Sequence, residues 1–382
     1  MHGTGRTGPS YGPGMTEVVH PVPKLPGGVD TPALVVELDV LQGNVDRMAS
    51  ELASRGVGLR PHFKTHKSVR IARMQLDAGA VGITCATLGE AEVLADAGFE
   101  DVFVAYPVIA AGDKAARLRS LHERIRLMVG VESERGAQLL ADAVRGSNRP
   151  LAVLVEVDCE YGRTGVPAED AARIARACGP ELEVAGVFAH AGHAYRGPDM
   201  VDGAARDEAG SIARAAEVLA EAGFSARVVS PGSTPTALLS ARGPVTEERP
   251  GTYPLGDRQQ VHLGACRPEE VALHVATTVV STAAANRFVV DAGAKTLSKD
   301  LPEWLPGYGA IPEYPDATIA WLTDHHGVVE VPTGASRPEV GDVIAIVPNH
   351  VCPVVNLARE LVVSRAGTEL ERWPVDAGLR SG

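Results

Sequence analysis

The sequence lacks several features that mark whole classes of proteins. No apolar run approaches the ~20 residues of a membrane span, and the N-terminus, rich in Gly and Pro, has no apolar core like that of a signal peptide. The five cysteines are widely spaced, odd in number and without a CxxC pair. This pattern indicates free thiols in a reducing compartment rather than a disulfide framework. We therefore expect a soluble, cytoplasmic protein that does not enter a membrane.

Basic charge is scarce as well. The 36 Lys and Arg residues face 48 Asp and Glu residues, for a net charge of -12. Nucleic-acid binding requires a basic surface, so the composition argues against a nucleic-acid partner. A nucleotide-binding P-loop is also missing. Residues 291–296, DAGAKT, resemble the end of one. However, Ala294 separates Gly293 from Lys295, and no glycine stands at the required upstream spacing.

The chain does contain short β-branched runs that alternate with alanine-rich helical stretches, which is typical of βα units. Eight such runs predict barrel strands near residues 58–63, 81–85, 101–105, 125–129, 151–157, 184–190, 226–230 and 245–249. From residue 270 onward the helical pattern fades, and the remaining runs predict antiparallel strands. We therefore predict an α/β fold in which a (β/α)8 TIM-like barrel precedes a C-terminal antiparallel β domain. The expected division is a disordered tail over 1–28, the barrel over 29–266 and the β domain over 267–382.

One lysine follows the first predicted barrel strand, in the segment LRPHFKTHK at residues 59–67. Alternate side chains of a strand share a face, so Arg60, His62 and Lys64 should point into the barrel while Phe63 points out. Desolvation and neighbouring positive charge would then lower the pKa of Lys64. Such an amine is free to condense with an aldehyde such as pyridoxal phosphate. The alternative is a basic surface loop.

Other polar segments also follow predicted strands, at the end where barrels of this class hold their active sites. Residues 158–165 follow the fifth strand, and residues 190–195 follow the sixth. After the seventh strand, Gly232, Ser233 and Thr234 offer backbone amides, two hydroxyls and a glycine that lets an anion approach. An isolated tripeptide of this kind is usually a polar turn. Its place after a late strand favours a phosphate-binding loop.

Arg163 lies in the segment after the fifth strand. Its guanidinium could contact a cofactor ring or a substrate carboxylate. It could equally form a salt bridge with Glu156 or Asp158, as lone arginines near carboxylates commonly do. Both interpretations stay open at the level of the sequence.

A histidine and a cysteine two residues apart, His350 and Cys352, stand between Pro348 and Pro353. In an extended segment this spacing turns both side chains to one face, where imidazole and thiolate would suit a zinc ion. Two protein ligands leave positions open for water and substrate, as a catalytic metal requires. The alternative is a packed histidine beside an inert buried thiol.

Several short motifs occur in a fixed order along the chain: TPAL at 31–34, RPHFKTHK at 60–67, GHAY at 192–195, GSTPT at 232–236, RPGTY at 249–253 and PNHVCP at 348–353. Together they resemble the D-serine dehydratase and D-threonine aldolase family of fold-type III pyridoxal-phosphate enzymes, relatives of bacterial alanine racemase. The resemblance runs from about Asp30 to Asp376. It implies an alanine-racemase-type barrel in which the strand after Thr31 joins the β domain.

The resemblance also implies roles for individual residues. Lys64 would carry the cofactor with His62 beside it, and Tyr253 is similar to a family tyrosine near the phosphate. His193 and Tyr195 would orient the substrate carboxylate or a cofactor oxygen. The family usually has a tyrosine near the position of His190 and Ala191, so this chain departs from the pattern there.

The metal-binding pair separates the branches of the family. In D-serine dehydratases the pair similar to His350 and Cys352 holds zinc, whereas D-threonine aldolases have an aspartate in place of Cys352. The resemblance therefore favours a D-3-hydroxyamino acid dehydratase that uses pyridoxal phosphate and zinc, with manganese or another divalent metal as the alternative. Lys64 would remove the α proton, the metal would assist loss of the β-hydroxyl, and a keto acid and ammonia would be released.

Two other functions stay open. One is an aldolase-type lyase that gives glycine and an aldehyde, and the other is a non-catalytic carrier of pyridoxal phosphate. The long segment after Arg267 argues against the carrier, because carriers of this fold lack a second domain. D-serine, D-threonine and 3-hydroxy-D-aspartate all remain possible substrates. Fold-type III relatives lay the β domain of one subunit over the barrel of the other, so we expect a homodimer whose active sites are shared between the subunits. The sequence leaves open whose barrel His350 and Cys352 serve.

Overall fold

The computed structural model describes residues 18–380 and 382, and its strands divide between a barrel and a separate sheet. The strands are β1 (Ala33–Glu37), β2 (Gly58–Leu59), β3 (Ile83–Cys85), β4 (Asp101–Pro107), β5 (Arg126–Val131), β6 (Leu151–Glu156), β7 (Leu182–Phe188), β8 (Val228–Ser230), β9 (Glu247–Glu248), β10 (Leu273–Ser281), β11 (Arg287–Val290), β12 (Gly309–Ala310), β13 (Thr318–Leu322), β14 (Gly327–Glu330), β15 (Val343–Pro348), β16 (Glu360–Arg365) and β17 (Thr368–Pro374). The α-helices are α1 (Leu38–Ser54), α2 (Val69–Asp77), α3 (Leu88–Asp96), α4 (Asp113–Arg124), α5 (Glu134–Val144), α6 (Ala171–Ala177), α7 (Val201–Glu221), α8 (Ala237–Ser240), α9 (Arg258–His262), α10 (Ala294–Leu297) and α11 (Val351–Leu357).

The barrel is built from β2 to β9. Strands β3 to β8 form a parallel sheet in sequence order, and β2 pairs in parallel with β9. Backbone hydrogen bonds join the two pieces, from Phe63 N to Thr84 O at 2.7 Å and from Thr246 N to Val229 O at 2.9 Å. Within the described residues these eight strands close a barrel, which confirms the predicted fold class.

Helices surround the barrel because their apolar residues recur at helical spacing. In α5, Ala137, Leu140 and Val144 are buried, and they belong to a large cluster between the strands and the helices. The Ser133 hydroxyl accepts a hydrogen bond from Gly136 N at 3.0 Å and so caps the start of this helix. The βα alternation read from the sequence therefore corresponds to a strand layer wrapped by helices.

The second sheet follows the order β13-β14-β11-β10-β1-β16-β17, with β15 pairing with β10 and β12. Strand β1, which precedes the barrel in sequence, lies between β10 and β16. It runs antiparallel to β10 but parallel to β16. The β domain is therefore mixed rather than wholly antiparallel, and its sheet takes in the strand after Thr31.

The N-terminal segment differs from the prediction. Leu25 packs against a small cluster of Val29, Val35, Ala276 and Val362 on the β domain. The predicted disordered tail over 1–28 is therefore too long at its C-terminal end, and residues 1–17 lie outside the described residues. In the part of the chain that the structure describes, we find no helix with the length and apolar character needed to span a membrane.

A buried ion pair lies where β9 meets β2. Arg60 Nε donates to Glu247 Oε2 at 2.8 Å, and Arg60 Nη1 donates to Asp101 Oδ1 at 2.5 Å. Arg60 and Glu247 are both about 5 % exposed. Removing one partner of a buried pair leaves the other charge uncompensated.

We therefore expect Arg60→Met to lower the free energy of unfolding by about 3–5 kcal/mol, since Glu247 would lose its buried partner. Denaturant unfolding followed by circular dichroism measures the change. Arg372→Met, which removes an exposed pair with Glu360, is the matched control and should leave stability nearly unchanged. Equal stabilities for the two variants would contradict the assigned role of Arg60.

Candidate active site

A cavity of about 360 Å³ lies at the C-terminal ends of the barrel strands, where the β domain meets the barrel. The barrel loops and the β domain both contribute to its wall. The lining residues are Lys64, Tyr161, His190, Gly192, Tyr195, Thr252, Gln259, Asp300, Pro302, His350 and Cys352. One chain therefore brings the predicted cofactor lysine and the predicted metal ligands to the same cavity.

Lys64 reaches this cavity from a turn rather than from a strand end. Strand β2 stops at Leu59, and backbone hydrogen bonds from His62 to Pro250 and from Phe63 to Thr84 are made just before the turn. The Lys64 amide lies 3.4 Å from His62 Nδ1. Burial lowers the pKa of the Lys64 amine against the opposing effect of Cys352, and the Arg163 guanidinium lowers it further. The amine is thus biased toward its neutral, nucleophilic form.

His62 is buried beside this turn. Burial lowers its pKa well below the usual value, and the positive charges of Lys64 and Arg249 act in the same direction. The imidazole is therefore neutral at pH 7. His62 contacts the backbone of the Lys64 turn but does not line the cavity.

The predicted phosphate-binding loop follows β8. A Cβ on Gly232 would lie 2.5 Å from the backbone nitrogen of Arg249, and Gly232 has φ of +144°. Only glycine lets the loop approach β9 this closely. The Thr234 hydroxyl accepts hydrogen bonds from Gly251 N at 3.2 Å and Thr252 N at 2.9 Å. The loops after β8 and β9 therefore converge, with two amides directed at one oxygen.

Two of the donors predicted for this loop are already engaged. Gly232 N donates to Glu208 Oε1 at 2.9 Å, and the Ser233 hydroxyl lies 2.9 Å from the Thr236 hydroxyl. The Gly232 amide is therefore not available for the predicted contact with a phosphate. Its N–H points to the buried carboxylate behind the loop and away from the cavity side.

Glu208 is a functional residue that sequence reasoning missed. Its carboxylate, fully buried on α7, accepts from Ala191 N at 3.0 Å, from Gly232 N at 2.9 Å and from the Thr236 hydroxyl at 2.8 Å. It thereby joins the loops that follow β7 and β8. A glutamate at buried helical spacing, four residues before Ile212, was the available signal.

The segment after β7 forms a short 3₁₀-helix, Gly192–Arg196, and this turn decides which side chains face the cavity. Tyr195 does, and its hydroxyl meets the Gln260 side chain and the Thr234 amide. Burial raises the pKa of Tyr195. His193 turns away, and its Nε2 lies 3.3 Å from Asp207 Oδ2. The predicted catalytic role of His193 therefore has no support in the geometry.

His190 lines the cavity where the sequence favoured His193. Its Nδ1 lies 3.1 Å from the Gly232 carbonyl oxygen. A carbonyl oxygen only accepts, so Nδ1 carries the hydrogen. Burial lowers the pKa of His190 well below its usual value, and Lys64 adds to the effect. His190 is therefore a neutral imidazole with a fixed tautomer.

Tyr253 and Arg163 differ in how they relate to the cavity. Tyr253 is buried in the core between strands and helices, and its hydroxyl accepts from Gln75 Nε2 at 3.0 Å. Its neighbour Thr252 lines the cavity, whereas Tyr253 does not. Arg163 is half exposed, with Nη2 3.9 Å from Glu156 Oε1. Of the two interpretations of Arg163, the contact with Glu156 is the one observed.

The predicted metal ligands stand at the start of a helix. Strand β15 ends at Pro348 and α11 begins at Val351, so the segment is not extended throughout as predicted. His350 and Cys352 still meet, because their side chains form a hydrogen bond with each other. Burial would raise the pKa of the Cys352 thiol, but His350 outweighs burial and lowers it. The pair is biased toward imidazolium and thiolate.

Two further contacts hold this pair. His350 Nδ1 lies 2.5 Å from Asp300 Oδ2, and Cys352 Sγ lies 3.2 Å from the Thr65 hydroxyl. Asp300 thus engages one ring nitrogen and leaves Nε2 for a metal. Across residues 18–380 and 382, no group of three or more His, Cys, Asp or Glu residues could enclose a metal ion. The donor set is therefore one imidazole and one thiolate, which fits an open site.

The chain resembles known proteins over most of its length. The sequence profile of the alanine racemase N-terminal domain matches residues 36–259, and that of the D-serine dehydratase domain matches residues 272–364. D-threo-3-hydroxyaspartate dehydratase of Delftia sp. (strain HT23) is 36% identical over 349 residues, which cover 85% of this chain and 91% of that protein.

Solved structures agree with these matches. The crystal structure of D-threonine aldolase from Filomicrobium marinum has a TM-score of 0.86 and 31% identity, and the match covers 96% of this chain and 100% of that chain. A cysteine-to-alanine mutant of D-threo-3-hydroxyaspartate dehydratase in the metal-free form has a TM-score of 0.82 and 33% identity, over 91% of this chain and 97% of that chain.

Proposed function

We propose that this chain, which belongs to the D-serine dehydratase and D-threonine aldolase family of fold-type III pyridoxal-phosphate enzymes, is a lyase that dehydrates D-3-hydroxyamino acids. The meeting of Lys64, His350 and Cys352 in one cavity carries this proposal. The lysine supplies an amine for the cofactor, and the imidazole and thiolate supply ligands for zinc. The products are a 2-keto acid and ammonia.

The residues around the cavity fit pyridoxal phosphate. Lys64 would bind its aldehyde, and the loops after β8 and β9 would hold its phosphate, with Tyr195 and Arg163 nearby. When bound, the cofactor takes up the negative charge that forms at the substrate Cα. The lowered pKa of Lys64 leaves Nζ able to accept the α proton. Lys64 is therefore the proposed general base.

His350 and Cys352 fit a metal ion. A thiolate beside an imidazole favours zinc over manganese, which prefers oxygen ligands. A zinc ion there would act as a Lewis acid for the β-hydroxyl, a group that otherwise leaves poorly. Asp300 would hold the His350 ring in the orientation that exposes Nε2. A relative's metal-free mutant structure supports a metal in this family.

An aldolase function is the second candidate, because D-threonine aldolase of Filomicrobium marinum shares the fold over nearly the whole chain. The same residues would then serve cleavage of the Cα–Cβ bond, with glycine and an aldehyde as products. Cys352 favours dehydration, since a thiolate stands where aldolases of this family carry an aspartate. A carrier role is the weakest candidate, because the β domain adds metal-type ligands to the lysine site.

We expect the purified protein to release pyruvate and ammonia from D-serine, because the thiolate-bound metal would promote loss of the β-hydroxyl. The measurement is incubation with D- and L-serine, D- and L-threonine and 3-hydroxy-D-aspartate, followed by identification of every carbonyl product. The L-amino acids are the control for stereochemistry. Glycine and acetaldehyde from D-threonine, without keto acid from any substrate, would favour the aldolase instead.

We expect Cys352→Ala to reduce turnover by about 10²-fold or more while the bound cofactor keeps its visible absorbance, because Lys64 and the loops after β8 and β9 would hold the cofactor independently of the metal. Removal of metal by a chelator should have the same effect. Lys64→Ala is the contrasting variant, and it should lose the borohydride-trappable cofactor together with activity. Undiminished turnover in metal-free protein would exclude the Lewis-acid role.

We also propose a homodimer. Tyr106 and Ile109 are each 53% exposed beside the end of β4, at the same barrel end as the cavity. A second copy of the chain at this end of the barrel would cover both side chains. The cavity itself uses Lys64 and Cys352 from one chain.

We therefore expect sedimentation to give a dimer, and a mixture of Lys64→Ala and Cys352→Ala subunits to stay inactive, because each site takes both residues from one chain. Wild-type subunits mixed with either variant provide the control for subunit exchange. Recovery of activity in the mixture of the two variants would mean that the subunits share their sites.

A further inference from the structure

Lys67 is a buried lysine that the proposed mechanism does not use, although it lies three residues after Lys64. Its side chain is about 6% exposed. Lys67 Nζ lies 3.3 Å from Glu90 Oε1 and donates to Asn356 Oδ1 at 2.7 Å. Glu90 belongs to the barrel, on α3, and Asn356 belongs to the β domain, on α11. A buried ammonium thus joins the two domains next to the cavity, and both of its contacts are charged or polar.

The partners of Lys67 are fixed in turn. Glu90 Oε2 accepts from Ala86 N at 2.7 Å, and Glu90 N donates to the Thr87 hydroxyl at 3.1 Å. The carboxylate that faces Lys67 is therefore held by the backbone at the start of α3. Lys67 itself has φ of +48°, in the left-handed region that a non-glycine residue seldom adopts. The backbone holds this conformation while the side chain reaches both domains.

Helix α11 is attached to the Lys64 turn at two points. The Thr65 hydroxyl lies 3.2 Å from Cys352 Sγ, and Lys67 contacts Asn356. Cys352 and Asn356 are four residues apart and share one face of the helix. These two contacts link both ends of the helix to the Lys64 turn. Core packing of Val351, Val354 and Val355 holds the helix on the β domain, so the two polar contacts are the ones that relate it to the turn.

The C-terminal segment closes around the same point. Ala377 N donates to the Lys67 carbonyl at 3.1 Å, and Leu379 N donates to Asn356 Oδ1 at 3.4 Å. Val69 N, two residues after Lys67, donates to Asp376 Oδ2 at 2.7 Å. The chain end thus meets Lys67 and its helix partner together. This arrangement holds the Lys67 backbone in place without using its ammonium.

We propose that Lys67 is a positioning residue that sets where the metal ligands of α11 stand relative to the cofactor lysine. This inference rests on the proposed function, because it assigns Lys67 to the placement of His350 and Cys352. The ammonium bridges the Glu90 carboxylate of the barrel and the Asn356 amide of α11, and so ties the helix that follows the metal-binding pair to the Lys64 turn. Small displacements between reacting groups reduce rates strongly, which makes such a bridge consequential.

The test compares Lys67→Met with wild type in three measurements. Zinc affinity, determined by titration of the cofactor-loaded protein against a chromogenic chelator, should fall about 10–100-fold. At saturating zinc, kcat should fall about tenfold or more while KM changes less than about twofold, because substrate binding is retained. Borohydride trapping at Lys64 should be unchanged. Lys67→Arg keeps the charge and should recover part of the zinc affinity.

Controls separate positioning from general stability. Lys295→Met removes an exposed lysine of the β domain, paired with Asp324, and should match wild type throughout. In metal-free protein, amide hydrogen exchange should speed up in residues 351–357 of Lys67→Met and not in β10. If Lys67→Met does not fold, Asn356→Ala removes the same hydrogen bond from the helix side and should give the same zinc and exchange changes.

Two results would overturn the role of Lys67. One is zinc affinity, kcat and amide exchange in Lys67→Met equal to those of wild type and Lys295→Met. The other is a parallel loss of cofactor trapping, zinc affinity and thermal stability, which would indicate a general structural role. If wild type itself binds no zinc, the proposed function fails, and the exchange measurement still decides whether Lys67 fixes α11.

Discussion

Removal of the Lys64 amine from bulk water is the constraint on which the rest of this site depends. The barrel alone would leave the amine at an open mouth, and the β domain covers it with Asp300, His350 and Cys352. The resulting desolvation lowers the pKa of Lys64. The same closure places a thiol and an imidazole beside the amine. Domain packing therefore accounts both for the lowered pKa of the proposed cofactor lysine and for the position of the proposed metal ligands beside it.

Such a site requires buried charges, and each of those described above is held by specific partners. Glu208 accepts three hydrogen bonds behind the loops after β7 and β8, while Arg249 donates to the backbone oxygens of Ala189 and Ser230. Burial still raises the pKa of Glu208 and lowers that of Arg249. These contacts fix the loops before any ligand binds. The loops are therefore ordered when the protein folds and need not become ordered during catalysis.

The misassigned side chains His193 and Tyr253 both lie in turns rather than in strands. His193 was favoured over His190, and Tyr253 over Thr252, although the segments themselves were located correctly. A strand places alternate residues on one face, whereas a 3₁₀ turn rotates the chain by about a third of a circle per residue. A segment that is predicted to be extended but is folded as a turn therefore directs a different side chain into the cavity from the one expected. His350 and Cys352 contact each other even though their segment is not extended throughout. Their side chains form a hydrogen bond at the start of α11.

The sequence by itself determined the approximate positions of the eight barrel strands, the later change to a sheet and the choice of Lys64 as the candidate cofactor lysine, because hydrophobic periodicity and strand-end position are local properties. Only the tertiary structure decided that one chain supplies both Lys64 and Cys352, that Glu208 ties two loops together, and that Lys67 joins the domains. These contacts link residues far apart in the sequence, by 289 positions for Lys67 and Asn356. Local sequence patterns carry no information about such long-range contacts, because the contacts are set by how the two domains pack.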